Sequence, residues 1–232
     1  MIRVGRIKNC NDNCHFDGFI PIKVMTKSSS YGSLSPYELK YNGIIIENLW
    51  QYLKAYESVP YSKQFYSQYD KRVIWEHPAE NHIVDGKLTQ EYFNWRKKGL
   101  ACQYAVRYPV GMKYRHTCKG SILDINNPVL LSYIEARKQI YIPYYVHAVK
   151  QAAQFECLQH LLREGNNLLI LEVDGPHKES LEYYKQRYGV GDDFIVNGTM
   201  LATNKNLGIM LHDEKHPFGH GYCLAAALAG LL

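Results

Sequence analysis

Residues 143–165, PYYVHAVKQAAQFECLQHLLREG, run directly into NNLLILEVDGP, and this junction constrains the fold more than any other stretch. The first part opens on Pro143 and stops at Gly165, the N-terminal proline and C-terminal glycine of a helix. The second is a short apolar run closed by a turn at Asp174-Gly175-Pro176, which reads as a buried strand. A last apolar segment, YCLAAALAGLL, predicts a core helix. Before the junction, SILDINNPVLLSYIEARKQIYIPYYVHAVK predicts helical stretches broken at Pro128 and Pro143. Helices dominate and strands are few and short. The expected fold is therefore α+β, a single helix-rich domain over residues 1–232.

The 232 residues are 46% hydrophobic, enough to bury a sizeable core. No apolar run approaches the roughly 18 residues that span a bilayer, so no membrane partner is expected. MIRVGRIKNCNDNC is charged but has no apolar signal core behind it, which argues against secretion. Six cysteines spread over this length predict reduced thiols and a cytoplasmic protein. The net charge of +5 is interspersed, with no Lys/Arg block. It tolerates a phosphate-bearing ligand without demanding a nucleic-acid partner. The twenty tyrosines are read as half-buried packing residues with solvated hydroxyls.

Along the chain, 27–38 reads as a Ser/Gly/Pro loop and 39–46 as a short strand or turn. Residues 61–120 are polar and aromatic and suggest short helices mixed with loops. Within them, TQEYFNWRKKGLA (89–101) predicts a helix with Thr89 as its N-cap.

IIIENLWQYLKAYE (44–57) predicts a helix with its apolar residues on one side and Glu47, Gln51 and Lys54 on another. At about 100° per residue those three span only roughly 60° of the cylinder. Such a row is either a solvated face or the floor of an active site. Asp174, just beyond the predicted buried strand, is either a catalytic acid or an ordinary turn residue. Gly219 and Gly221 flank His220 before the last helix, where free amides suit an anion, although a plain glycine-rich turn is the more frequent explanation. Trp75, Trp95 and Tyr108 offer a flat wall for a base, and Arg107 or Arg96 a guanidinium fork for phosphate or carboxylate, although each is more often structural. Cys10, Cys14 and His15 lack a second pair with zinc spacing, so no metal is expected.

YGSLSPYELKYNGIIIENLWQYLKAYE resembles the opening signature of the NADAR superfamily of N-glycosidases. The matching elements are Gly32, Leu34, Ser35 and Pro36, followed by Glu47, Gln51 and Lys54. HAVKQAAQFECLQHLLREGNNLLILEVDGP is similar to the family's Ala-rich helix and acidic strand end, and NKNLGIMLHDEKHPFGHGYCLAAAL to its closing glycine-rich turn and helix. The likeness covers roughly 31–60 and 145–232. Residues 61–140 form a longer, divergent insertion, and no Trp-Gly follows Asp174.

The resemblance implies a hydrolase cleaving the N-glycosidic bond between a ribosyl group, phosphoribosyl or ADP-ribosyl, and a nucleobase or related amine. It needs no cofactor, and nucleic acid enters only as a modified substrate. Glu47, Lys54 and Asp174 are the implied catalytic residues. Ser35, Trp50, Gln51, Trp95, Arg107, Gly219, His220 and Gly221 are the implied substrate-binding residues. Glu47 would stabilise the oxocarbenium-like sugar or activate water, and Asp174 would protonate the leaving nitrogen or grip ribose hydroxyls. Lys54 would capture the ring-opened C1′ aldehyde as a Schiff base. The competing class is a module that binds ADP-ribose or a nucleotide without turning it over.

Overall fold

The computed structural model describes residues 1–9, 11–25 and 30–231. The fold is α+β. It divides into two compact units, one formed by Met1–Leu39 with Tyr145–Leu232 and the other by Lys40–Tyr144.

The chain begins with strands β1 (Ile2–Arg6) and β2 (Phe19–Lys23). A small hairpin of β3 (Lys40–Tyr41) and β4 (Ile44–Ile45) leads into helix α1 (Ile46–Tyr52). Strands β5 (Lys54–Tyr56), β6 (Ser62–Phe65) and β7 (Val73–His77) come next. They are followed by β8 (Ile83–Val84), β9 (Lys87–Leu88), helix α2 (Gln90–Leu100) and β10 (Cys118–Ser121). Helices α3 (Tyr133–Ala136), α4 (Ile142–Val149) and α5 (Ala153–Arg163) precede β11 (Asn167–Glu172). The remaining elements are α6 (Leu181–Tyr188), β12 (Thr199–Leu201), α7 (Asn204–His212) and α8 (His220–Leu228).

The first unit is built on a four-stranded sheet of order β12-β1-β11-β2. Strand β11 pairs in parallel with both β1 and β2, while β12 lies antiparallel on β1. This explains the unbroken apolar run Leu168–Leu171, because a central parallel strand covered on both faces has no wet side. Ile7, Leu169 and Leu171 pack with Phe16, Phe19 and Met25, and helices α5 and α8 pack on β11. At the strand's end, a Cβ on Gly175 would strike the backbone of Gly5, so only glycine lets the turn approach so closely.

The second unit holds its own core of Tyr52, Tyr56, Trp75, Tyr92, Trp95 and Ile122. Helix α2 is capped as expected, with the Thr89 hydroxyl accepting from the Tyr92 N–H at 3.3 Å. Gly99 of this helix lies against the ring of Tyr52 in α1.

Three expectations need correction. Residues 61–120 contain the hairpins β6–β7 and β8–β9 where short helices were expected. In β7 the alternation is carried by Trp75 and His77 turned inward, and Lys63, Gln64 and Glu76 mask it in the sequence. Pro143 does not break its helix. A π-helical turn over Arg137–Tyr141 closes with the Ile142 N–H donating to the Arg137 carbonyl, and this wider turn makes room just before the proline ring. The predicted helix 143–165 is instead interrupted. Gln151 and Ala152 make tight bonds back to Ala148 and Val149, and Ala152 turns extended before α5.

Candidate functional site

In the second unit, β4 delivers a buried apolar entry into α1, with Ile45 and Ile46 inside the protein. Glu47 sits in the first turn and is buried. Its neighbour Asn48, also buried, donates to the carbonyls of Cys102 and Tyr104 and accepts from the Val106 N–H. All its bonds go to one loop, which clamps the helix in position.

The row of Glu47, Gln51 and Lys54 is present, but not as three residues of one helix. Helix α1 ends at Tyr52, and Lys54 opens strand β5, where it pairs with Ser121. The pairing of β5 with β10 wins over further helix because it buries Ala55 and Tyr56 in the core. The side chains still meet. Lys54 Nζ donates to Gln51 Oε1 at 3.1 Å, and Gln51 Nε2 donates to Glu47 Oε1 at 2.8 Å. An ammonium has only donors and a carboxylate only acceptors, so the intervening amide has one possible orientation.

Burial lowers the pKa of the Lys54 amine from the ordinary lysine value, and this outweighs the opposing influence of Cys118 and Glu47. Trp50 lies alongside, its ring 4.5 Å from Nζ. Tyr141 and Tyr133 continue the aromatic surface at centroid distances of 5.2 and 6.0 Å. An amine, an amide and a carboxylate are thus lined up beside a cluster of mutually inclined aromatic rings.

Two other expected binding residues of this unit fall elsewhere. Trp95 is fully buried in the core, against Tyr52, Trp75, His77 and His82, so no ligand reaches its face. Its spacing in α2 reflects packing. Arg107 is exposed, with its guanidinium over the Tyr108 ring at 4.8 Å. Arg96 spends its fork on the carbonyls of Ile122 and Leu123.

In the first unit, Ser35 is buried at the end of a 3-10 turn over Gly32–Leu34, and its hydroxyl accepts from the Tyr37 N–H. Asp174 is half-buried in the turn after β11. The carboxylate that the fold encloses is Glu172, two residues earlier, which the sequence reading passed over. Its Oε1 accepts the Gly221 N–H at 2.9 Å, and its Oε2 lies 3.0 Å from His220 Nδ1. The anion at the start of α8 is therefore the protein's own side chain, in place of the expected phosphate. Gly219 and Gly221 are glycines because a Cβ on either would run into the Glu172 carboxylate. The signal available was an acid inside an apolar strand together with a Gly-His-Gly helix start.

His220 Nε2 faces the Val24 carbonyl at 2.9 Å, so both ring nitrogens point at acceptors. Burial opposes a charge here, yet Glu172, the Val24 carbonyl and Asp174 together raise the His220 pKa. The ring is an imidazolium held between a carbonyl and a carboxylate.

Among the described residues, no group of three or more His, Cys, Asp or Glu side chains is placed to hold a metal ion. Cys10 lies outside the described residues; among the described residues, Cys14, Cys102, Cys118, Cys157 and Cys223 form no disulfide. No helix of the described residues is long and apolar enough to cross a membrane. Comparison with protein-family models, curated proteins and solved structures gives no match.

Proposed function

We propose that the protein hydrolyses an N-glycosidic bond between a ribosyl group and a nucleobase or related amine, in the manner of the NADAR superfamily it resembles. The observation that carries this reading is the Lys54–Gln51–Glu47 relay, in which a lysine of lowered pKa is joined through one oriented amide to a buried carboxylate.

Breaking the C1′–N bond leaves positive charge on C1′ and the ring oxygen, while the base departs with the bonding electrons. A carboxylate at Glu47 favours that charge, and a base-sized aromatic surface at Trp50 suits the departing group. Water adds to C1′ and its proton passes to the departing nitrogen. The sugar ring then opens to the C1′ aldehyde, which an unprotonated Lys54 captures as a Schiff base with loss of water, and a second water returns the aldehyde and the free amine. Gln51 positions the amine throughout.

The test is incubation with phosphoribosylated and ADP-ribosylated bases, including ADP-ribosylated guanine in DNA, with products identified by mass. Released base and ribosyl product are expected, with turnover reduced about a hundredfold or more in Glu47→Gln. Unchanged ligand accompanied by a rise in Tm would make the protein a binding module. Normal turnover in Glu47→Gln would remove that residue from the chemistry.

A further inference from the structure

The first unit contains a second cluster with the geometry of a reaction centre, and its interpretation does not rest on the reading above. Asp213 is fully buried after α7, and His216 is nearly so. His216 Nδ1 lies 2.6 Å from Asp213 Oδ2, and His216 Nε2 lies 2.9 Å from Ser180 Oγ. We propose that Ser180, His216 and Asp213 form a nucleophilic triad that transfers acyl groups from small esters or thioesters to water.

The hydrogen bonds around the imidazole settle its tautomer. Nδ1 faces Asp213 Oδ2 and the Tyr184 hydroxyl oxygen, the latter at 3.0 Å. Tyr184 gives its own proton to Asp213 Oδ2 at 2.7 Å, so both of these oxygens face Nδ1 as acceptors. The proton therefore sits on Nδ1, leaving Nε2 bare to accept from the Ser180 O–H. This is the arrangement in which a histidine acts as general base toward a serine.

Asp213 is held as a carboxylate. Burial works against its charge, but Tyr184, His216, Tyr183 and the Lys215 N–H donate to it, and its pKa is lowered overall. The rings of His177 and Tyr183 lie 5.5 and 5.4 Å from the imidazole.

Ser180 occupies the N-cap position of α6, yet its hydroxyl makes no capping bond and turns to His216. It is half-buried, beside the exposed Lys178 and Glu179. Ser180 stands at the start of α6, where the positive end of the helix dipole favours an oxyanion forming next to it.

In the step, Ser180 Oγ bonds to the acyl carbon as its proton passes to His216 Nε2. The ester C–O bond then breaks, and the departing alkoxide takes that proton. Water adds to the acyl carbon and gives its proton to Nε2. The Oγ–C bond breaks, Oγ is reprotonated, and a carboxylic acid leaves.

An alkyl fluorophosphonate tests this, because it forms an Oγ–P bond with loss of fluoride only at an activated serine. The native full-length chain is expected to gain one adduct, on the peptide containing Ser180. Labelling should be lost on heat denaturation. It should fall about a hundredfold or more in His216→Gln. No adduct on Ser180, or equal labelling of heat-denatured protein, would overturn the proposal. Neither readout needs a variant, so they decide the matter even if His216→Gln fails to fold.

Discussion

Lys54 Nζ donates to Gln51 Oε1 at 3.1 Å, although Gln51 belongs to a helix and Lys54 to a strand. The neutral amide orients the amine without fixing a proton on it. Gln51→Glu places a negative charge at that oxygen and raises the Lys54 pKa. Each unit of rise reduces the free amine at a given pH about tenfold. Trapping with a small aldehyde and borohydride should therefore modify Lys54 in the wild type at lower pH than in Gln51→Glu. Superimposable pH profiles would mean that the amide does not set the state of the amine.

The His220–Glu172 pair gives a pH dependence of defined sign. The folded-state pKa of His220 is raised, so its stabilising contribution is complete below about 6.5, the unfolded value. It is lost as pH rises through the folded value. His82 behaves in the opposite sense. Burial first, and then His77, lower its pKa to about 3, so stability is lost as pH falls below the unfolded value. Imidazole NMR titration should show His220 charged and His82 neutral at pH 6. Glu172→Ala leaves the imidazolium unpaired and should cost about 3–5 kcal/mol in urea denaturation.

Gly219→Ala and Gly221→Ala should each destabilise the protein by about 1–3 kcal/mol, because a methyl group meets the Glu172 carboxylate. Inorganic phosphate should not restore the lost stability. Restoration by phosphate would show that an external anion, and not Glu172, occupies the start of α8.

Gly99 offers a test of packing against propensity. Alanine gains about 1 kcal/mol over glycine in a helix interior. Here its methyl would meet the Tyr52 ring, so Gly99→Ala should lower the denaturation midpoint despite that gain. A more stable variant would mean that the ring moves aside at little cost.

Local rules account for much of what was read correctly. Thr89 caps its helix through the spacing expected of a capping side chain, and β11 is an apolar run because both its faces are covered. Glu47, Gln51 and Lys54 were rightly grouped, but through helical periodicity that stops before Lys54. Side-chain reach restores the contact that the backbone gives up. Trp95 shows what local pattern misses. Its burial depends on Trp75 from a hairpin whose outward residues are polar enough to hide the strand. Glu172 was missed because its partner lies on a helix far along the chain.

The order of pairing in the first unit sets a schedule for synthesis. Ile2 of β1 faces Leu168 of β11, and Arg3 faces Leu201 of β12. The leading strand therefore leaves the ribosome long before either neighbour exists, and closing such distant contacts is slow. Lys40–Tyr144, by contrast, is contiguous in sequence and has its own core, so it can condense while the sheet still awaits its last strands. Until β11 emerges, both edges of β1 are unpaired.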